Sequence, residues 1–104
     1  DLTFTGRMVS GEEAFRIGMA TRLADNPRGA ALALAAEIAS KSPDAVRGAK
    51  ALLDLAGTVP LRDGLIAEEE TMAALIGSPN NVEAVTAYFA KRPPVFTDPA
   101  PPNR

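Results

Sequence analysis

Apolar positions along this chain recur at intervals of three and four, and the runs are cut at regular points by Ser, Asn, Gly and Pro. That spacing is the helical period, and the punctuation marks helix starts and stops. Ser10 stands three residues before Glu13, the capping-box spacing in which each side chain satisfies a free backbone N–H of the first turn. A short helix is expected from there to Gly18, which takes positive φ without a Cβ clash. "MATRLADNP" reads as a brief extended link that closes on Asn26-Pro27, where Asn caps and Pro presets φ at the first helical position. From Arg28 to about Ser40 the alanines with Leu32, Leu34 and Ile38 favour a helix, and Ala31, Leu34, Ala35 and Ile38 share one face. Ser42-Pro43 repeats the start signal for a helix to about Ala56, stopped by Gly57 and facing inward through Val46, Ala49, Leu52 and Leu53. A fourth helix follows Thr58 and Pro60, with its stripe at Leu61, Leu65, Met72 and Leu75, and stops at Gly77. Ser78-Pro79 opens a fifth, to about Lys91, which Pro93 and Pro94 end.

No stretch between these helices alternates long enough to predict a strand, so the class is mainly α, four or five short helices joined by tight turns. Residues 1–92 form the helical region. Residues 93–104, "PPVFTDPAPPNR", are a Pro-rich tail, expected to be extended and poorly ordered unless Phe96 docks. The chain begins "DLTFTGRMVS", without an initiator Met or a polar run-in, which suggests a piece of something longer. Alanine-rich faces let helix axes approach closely and suit packing on one another or on a neighbouring subunit.

Composition narrows the chemistry. At 104 residues the chain is one domain at most, and with 46% hydrophobic residues but only 5% aromatic, its core is expected to be aliphatic. A net charge of −2 argues against a general nucleic-acid binder, which needs a basic stripe to displace counterions. The absence of Cys and His removes disulfides, thiolate metal sites and the commonest metal ligand and general base. No metal site is expected. No apolar run approaches the length of a membrane helix and no signal peptide opens the chain, which points to the cytoplasm.

Three consecutive carboxylates, Glu68, Glu69 and Glu70, resemble an acid/base cluster, but successive helical residues diverge by roughly 100° and cannot converge on one substrate. Glu68 alone falls on the Leu61, Leu65, Met72, Leu75 stripe, where it reaches an interface or snorkels past it. Capping accounts for Glu13 and the helix dipole for Glu12. Arg7, Arg16, Arg22, Arg28, Arg47 and Lys50 are scattered, and no phosphate loop, nucleophile elbow or metal-ligand spacing is present. In the fifth helix Val82, Val85 and Phe89 share one side, while Ala84, Tyr88 and Lys91 share another. The first can dock on its own domain. The second offers an aromatic with a cation one turn below, which suits an adenine ring and its phosphates. The alternative is that Lys91 and Arg92 only complement the helix dipole.

"LTFTGRMVSGEEAFRIGMATRL", "EIASKSPDAVRGAKALL" and "GSPNNVEAVTAYFAKRPPVF" together resemble the C-terminal part of the crotonase superfamily, the enoyl-CoA hydratase/isomerase proteins. The first carries the family phrase at Thr5, Gly6, Arg7, Glu12, Glu13, Ala14 and Gly18. The second carries it at Ser42, Pro43, Ala45, Val46, Ala49 and Lys50. The third carries it at Glu83, Ala87, Tyr88, Lys91, Arg92, Pro94 and Phe96. Tyr88 stands where the family usually has Phe, Ala84 where it has Gly, and Ala90 where it has Glu.

The resemblance implies the C-terminal helical segment of a crotonase-like α/β fold, a β-spiral, whose N-terminal region holds the thioester oxyanion and the proton-moving acids. It further implies an acyl-CoA substrate, with coenzyme A entering as part of that substrate and no tightly bound cofactor, and a homo-oligomer, a trimer or dimer of trimers. Tyr88 and Lys91 are the residues it places near the CoA nucleotide, and it assigns no catalytic residue to this chain. The alternative class is a stand-alone, non-catalytic helical interaction module acting through its Ala-rich faces.

Overall fold

Six helices joined by turns make up the part of the chain that the computed structural model describes, residues 1–99. They are α1 (Leu2–Thr5), α2 (Gly11–Arg16), α3 (Pro27–Ala39), α4 (Pro43–Leu55), α5 (Leu61–Leu75) and α6 (Pro79–Phe89). No strand occurs among the described residues, as expected. The element that the apolar pattern does not reveal is α1, a single turn in which the Thr5 hydroxyl donates to the Asp1 carbonyl at 2.9 Å. Four residues are too few to display a helical period.

Local chemistry sets the helix starts where the sequence places them. The side chains of Ser10, Asn26, Ser42 and Ser78 accept from the N–H of the residue three further on, at 3.2, 3.0, 3.5 and 3.4 Å. Each satisfies one of the four free N–H groups that begin a helix. The capping box at Ser10 is only half made, because the Glu13 carboxylate is occupied by Arg7 instead of the Ser10 N–H. Gly18, at φ +81°, follows α2 as expected and lets Met19 N–H reach the Ala14 carbonyl at 2.8 Å.

The chain divides within α3 into two units, Asp1–Ala35 and the residues from Ala36 onward. In the first unit, Arg7 forks onto Glu13 with bonds of 2.9 and 2.7 Å, which ties the segment after α1 to α2. Of the face expected on α3, only Leu34 is half-buried.

In the second unit α4 packs on α5, with Gly48 at a point of close approach. A Cβ added at Gly48 would lie 3.0 Å from Thr71 Cγ2 and 3.7 Å from Leu75 Cδ1, so glycine sets how closely the two helices approach. Of the apolar stripe expected on α5, Leu61, Leu65, Met72 and Leu75, only Leu75 is half-buried. Gly64, Ala67, Thr71 and Leu75 are the half-buried positions, whereas Leu61 is 80% exposed, and Leu65 and Met72 also face out. On α4, Val46 and Leu52 are half-buried as expected, but Ala49 is exposed and Leu53 is 72% exposed. Close helix approach selects small side chains, and the large ones are left beside the contact instead of within it.

Two residues among those described are buried, Ala87 at 1% and Asn80 at 4% exposure, and both are on α6. The docking face of α6 is thus Asn80 and Ala87 with half-buried Glu83 and Ala84, and not the expected Val82, Val85 and Phe89, all of which are exposed. Residues 93–99 carry no regular structure and run back antiparallel to α6, with Val95 bonded to Glu83 and Thr97 to Asn80. Phe96 is half-buried in this segment. The tail expected beyond it, residues 100–104, lies outside the described residues.

Gly48→Val is expected to push α4 and α5 apart and to destabilise the fold by about 1–3 kcal/mol, the usual range for overpacking. Urea unfolding of the protein measures it. An unchanged midpoint would show that the contact is not tight.

Candidate functional site

The residues that the sequence singles out lie at the C-terminal end of α6, Tyr88 within the helix and Lys91 just beyond it. Tyr88 is 79% exposed and meets Phe89 edge-on, with ring centroids 5.6 Å apart at an interplanar angle of 78°. One flat aromatic face is thereby presented outward, with its neighbour bracing it. Lys91 follows immediately, exposed, and among the described residues it forms no ion pair.

The turn that carries Lys91 has a defined geometry. The Arg92 N–H donates to the Ala87 carbonyl at 3.1 Å and the Lys91 N–H to the Tyr88 carbonyl at 3.2 Å. These two bonds make a Schellman motif, with Ala90 as the cap and Lys91 in the left-handed position at φ +50°. Arg92, the second cation of the pair, turns back and forks onto Glu83 with bonds of 2.6 and 2.9 Å. The two cations thus differ in role: Arg92 is committed to an internal ion pair, while Lys91 points its charge at solvent.

Glu83 also accepts from the Val95 N–H at 2.7 Å. The Arg92 guanidinium first, and this N–H second, hold its carboxyl far below the usual range, at about 2. The same pair raises the Arg92 pKa. Farther along, the Asn80 amide donates to Asp44 Oδ2 at 2.6 Å and to the Thr97 carbonyl at 2.8 Å, and accepts from the Thr97 N–H at 3.0 Å. Sequence reasoning did not single out Asn80 or the Glu83–Arg92 pair as anchors. Their partners lie nine or more residues away, outside the helical i, i+4 spacing that a pattern can display.

Among the other carboxylates, Glu13 departs from the expected capping role, since Arg7 occupies it. Glu13 is held below its ordinary pKa chiefly by the hydrogen bond from Arg7, and Glu12 by the hydrogen bond from its own backbone N–H and then by Ser10. Glu68 lines an open apolar groove of about 570 Å³ between α4 and α5, beside Leu52, Leu53, Leu61 and Leu65, and Glu69 and Glu70 do not. The first unit has its own open cleft of about 800 Å³ beside α2 and α3, lined by Glu12, Arg22, Asp25 and Leu34 among others. No helix among the described residues is long and apolar enough to cross a membrane.

No protein-family model matches the chain. A putative enoyl-CoA hydratase of Thermus thermophilus is 37% identical over 100 residues, which is 92% of this chain and 39% of that protein. The mouse enoyl-CoA hydratase domain-containing protein 2, mitochondrial, is 34% identical over 102 residues, which is 92% of this chain and 34% of the relative. Over nine-tenths of its length the chain is similar to enoyl-CoA hydratases, the proteins of the crotonase superfamily. Solved structures agree with this fold. Pseudomonas aeruginosa DspI superposes with a TM-score of 0.80 at 33% identity, covering 90% of this chain and 37% of that one. An enoyl-CoA hydratase from Polaromonas superposes with a TM-score of 0.79 at 22% identity, covering 88% and 37%. The chain therefore spans well under half the length of the proteins it matches, and its helices are the helical portion of that fold.

Because the Glu83 pKa is depressed, the stability it contributes is present above the unfolded carboxylate value of about 4.3. It is lost as pH falls through about 2. Glu83→Gln is expected to lower the thermal midpoint near neutral pH, with the gap to the unsubstituted protein closing between roughly pH 4.5 and 2. A gap that does not change over that window would mean that the carboxylate charge is not the holding element.

Proposed function

We propose that this segment belongs to an enoyl-CoA hydratase/isomerase-like enzyme that acts on acyl-CoA thioesters, and that it supplies one edge of the CoA site together with subunit contacts. The observation that carries this reading is the pairing, at the end of α6, of an outward aromatic, Tyr88, with an unpaired, exposed cation, Lys91, in a chain of crotonase type. A purine ring stacks on an aromatic face, and an ammonium on a flexible stem suits a phosphate as a mobile point charge. The partition of cations supports it too. With Arg92 taken by Glu83, Lys91 keeps its charge for a ligand.

In this reading the reaction polarises the thioester carbonyl through backbone donors aimed at the developing oxyanion and adds water across, or shifts, the neighbouring double bond. No residue of this segment is assigned to that chemistry. Its part is to bind and orient the nucleotide end of the substrate, far from the reacting carbon, where binding energy is turned into orientation. Exposed apolar side chains on α4 and α5, such as Leu53 and Leu61, suit burial against another subunit, in keeping with a trimer or dimer of trimers. The mouse relative is named as mitochondrial, so the expected cytoplasmic location is a part of the reading that cell fractionation tests.

In the full-length parent, Lys91→Ala is expected to raise KM for an acyl-CoA by more than it lowers kcat, since a remote contact made equally in ground and transition states contributes uniform binding. Steady-state kinetics measures it, and an unchanged KM removes Lys91 from the site. The 104 residues alone are expected to show no turnover of crotonyl-CoA. Measurable turnover by them would place the chemistry in this segment.

A further inference from the structure

The turn at Lys91 breaks a local rule. In a Schellman motif the left-handed residue is usually glycine, because a Cβ is disfavoured there. Gly18 fills that position after α2, but after α6 it is filled by lysine, the one non-glycine residue with positive φ among those described. A strained backbone position persists only where its surroundings over-determine it. Here they do so on both sides. Before the turn stand the two Schellman hydrogen bonds; after it, Arg92 is forked onto Glu83, Val95 N–H is bonded to the same carboxylate, and Thr97 is held at both backbone groups by buried Asn80. Residues 92–97 form a strap pinned at three points to the docking face of α6.

We infer that Glu83 is a positioning residue for Lys91: by anchoring the strap through Arg92 and Val95 it holds Lys91 in its left-handed turn and so fixes the backbone from which the ammonium is presented beyond the end of α6. The inference rests on the reading of Lys91 as the contact to the CoA phosphates. A lysine otherwise samples many rotamers, and ordering it costs free energy each time a ligand binds. Fixing the backbone on which it stands shortens that search. Glycine in this position would relax the turn but carry no charge. Lysine in αL supported by a strap is the arrangement expected if the cation itself is needed there.

The test compares an acyl-CoA with the matching acyl-pantetheine thioester, which keeps the reacting group and lacks the nucleotide, as substrates of the full-length parent. Glu83→Gln is expected to raise KM for the acyl-CoA roughly three- to tenfold, the range given by one newly unrestrained long side chain, with values for acyl-pantetheine staying within about twofold. The double variant Glu83→Gln/Lys91→Ala is expected to be no worse than Lys91→Ala, because the first change acts through the second residue. A loss shared equally by both thioesters marks Glu83 as merely structural and overturns the inference, as does simple additivity of the two changes. If Lys91→Ala raises KM and Glu83→Gln does not, the CoA contact stands and the positioning role falls. If Lys91→Ala has no effect, both fall. Should Glu83→Gln fail to fold, Arg92→Lys, which keeps the charge but not the two-pronged fork, enters the same comparison with the same expected split.

Discussion

A single buried amide joins three segments of the second unit, α4, α6 and the returning strap. Asn80 sits at the start of α6, donates to Asp44 at the start of α4, and clasps both backbone groups of Thr97 in the returning strap. At 4% exposure it has almost no water to turn to, so each lost partner would leave a polar group unsatisfied. The geometry at the far end of the helix depends on this clasp. If the strap were loose at Thr97, only the Glu83 carboxylate would fix Arg92 and the turn before it, through an ion pair that is open to solvent and therefore weak by itself.

Little apolar surface is buried to help. Among the described residues Ala87 is the one enclosed hydrophobic residue, while Phe4, Met8, Leu53, Leu61, Ile76 and Phe89 are among many large side chains left exposed. Polar clasps and caps fix the helix ends and the returning strap, and the hydrophobic faces are left exposed. This fits a segment that matches well under half the length of its crotonase relatives, whose helices are one part of a larger fold. The groove between α4 and α5, apolar apart from Glu68, is the clearest such face.

Helix starts and stops were legible because their chemistry is local. A serine or asparagine three residues before a free N–H caps it whatever the rest of the molecule does, and Ser10, Asn26, Ser42 and Ser78 all do so. Tyr88 and Lys91 were expected to share a face of this helix, but α6 ends at Phe89 and Lys91 stands beyond it in a left-handed turn. Family phrases around Thr5, Ser42 and Glu83 were also readable without coordinates.

Which faces turn inward was not legible. Of the periodic stripe Leu61, Leu65, Met72 and Leu75 only Leu75 is half-buried, and the closest approach to α4 is Thr71 against Gly48, where the absence of a Cβ leaves room. Asn80 and Asp44 are 36 residues apart, and Glu83 and Val95 are 12. Hydrogen bonds at such separations leave no periodic trace. The sequence by itself determined the helices, their caps and the kinship of the chain. Only the tertiary structure decided which cation is spent on an internal pair, which stays available, and how lysine comes to occupy a left-handed turn, because those outcomes depend on groups brought together only when the strap folds back onto α6.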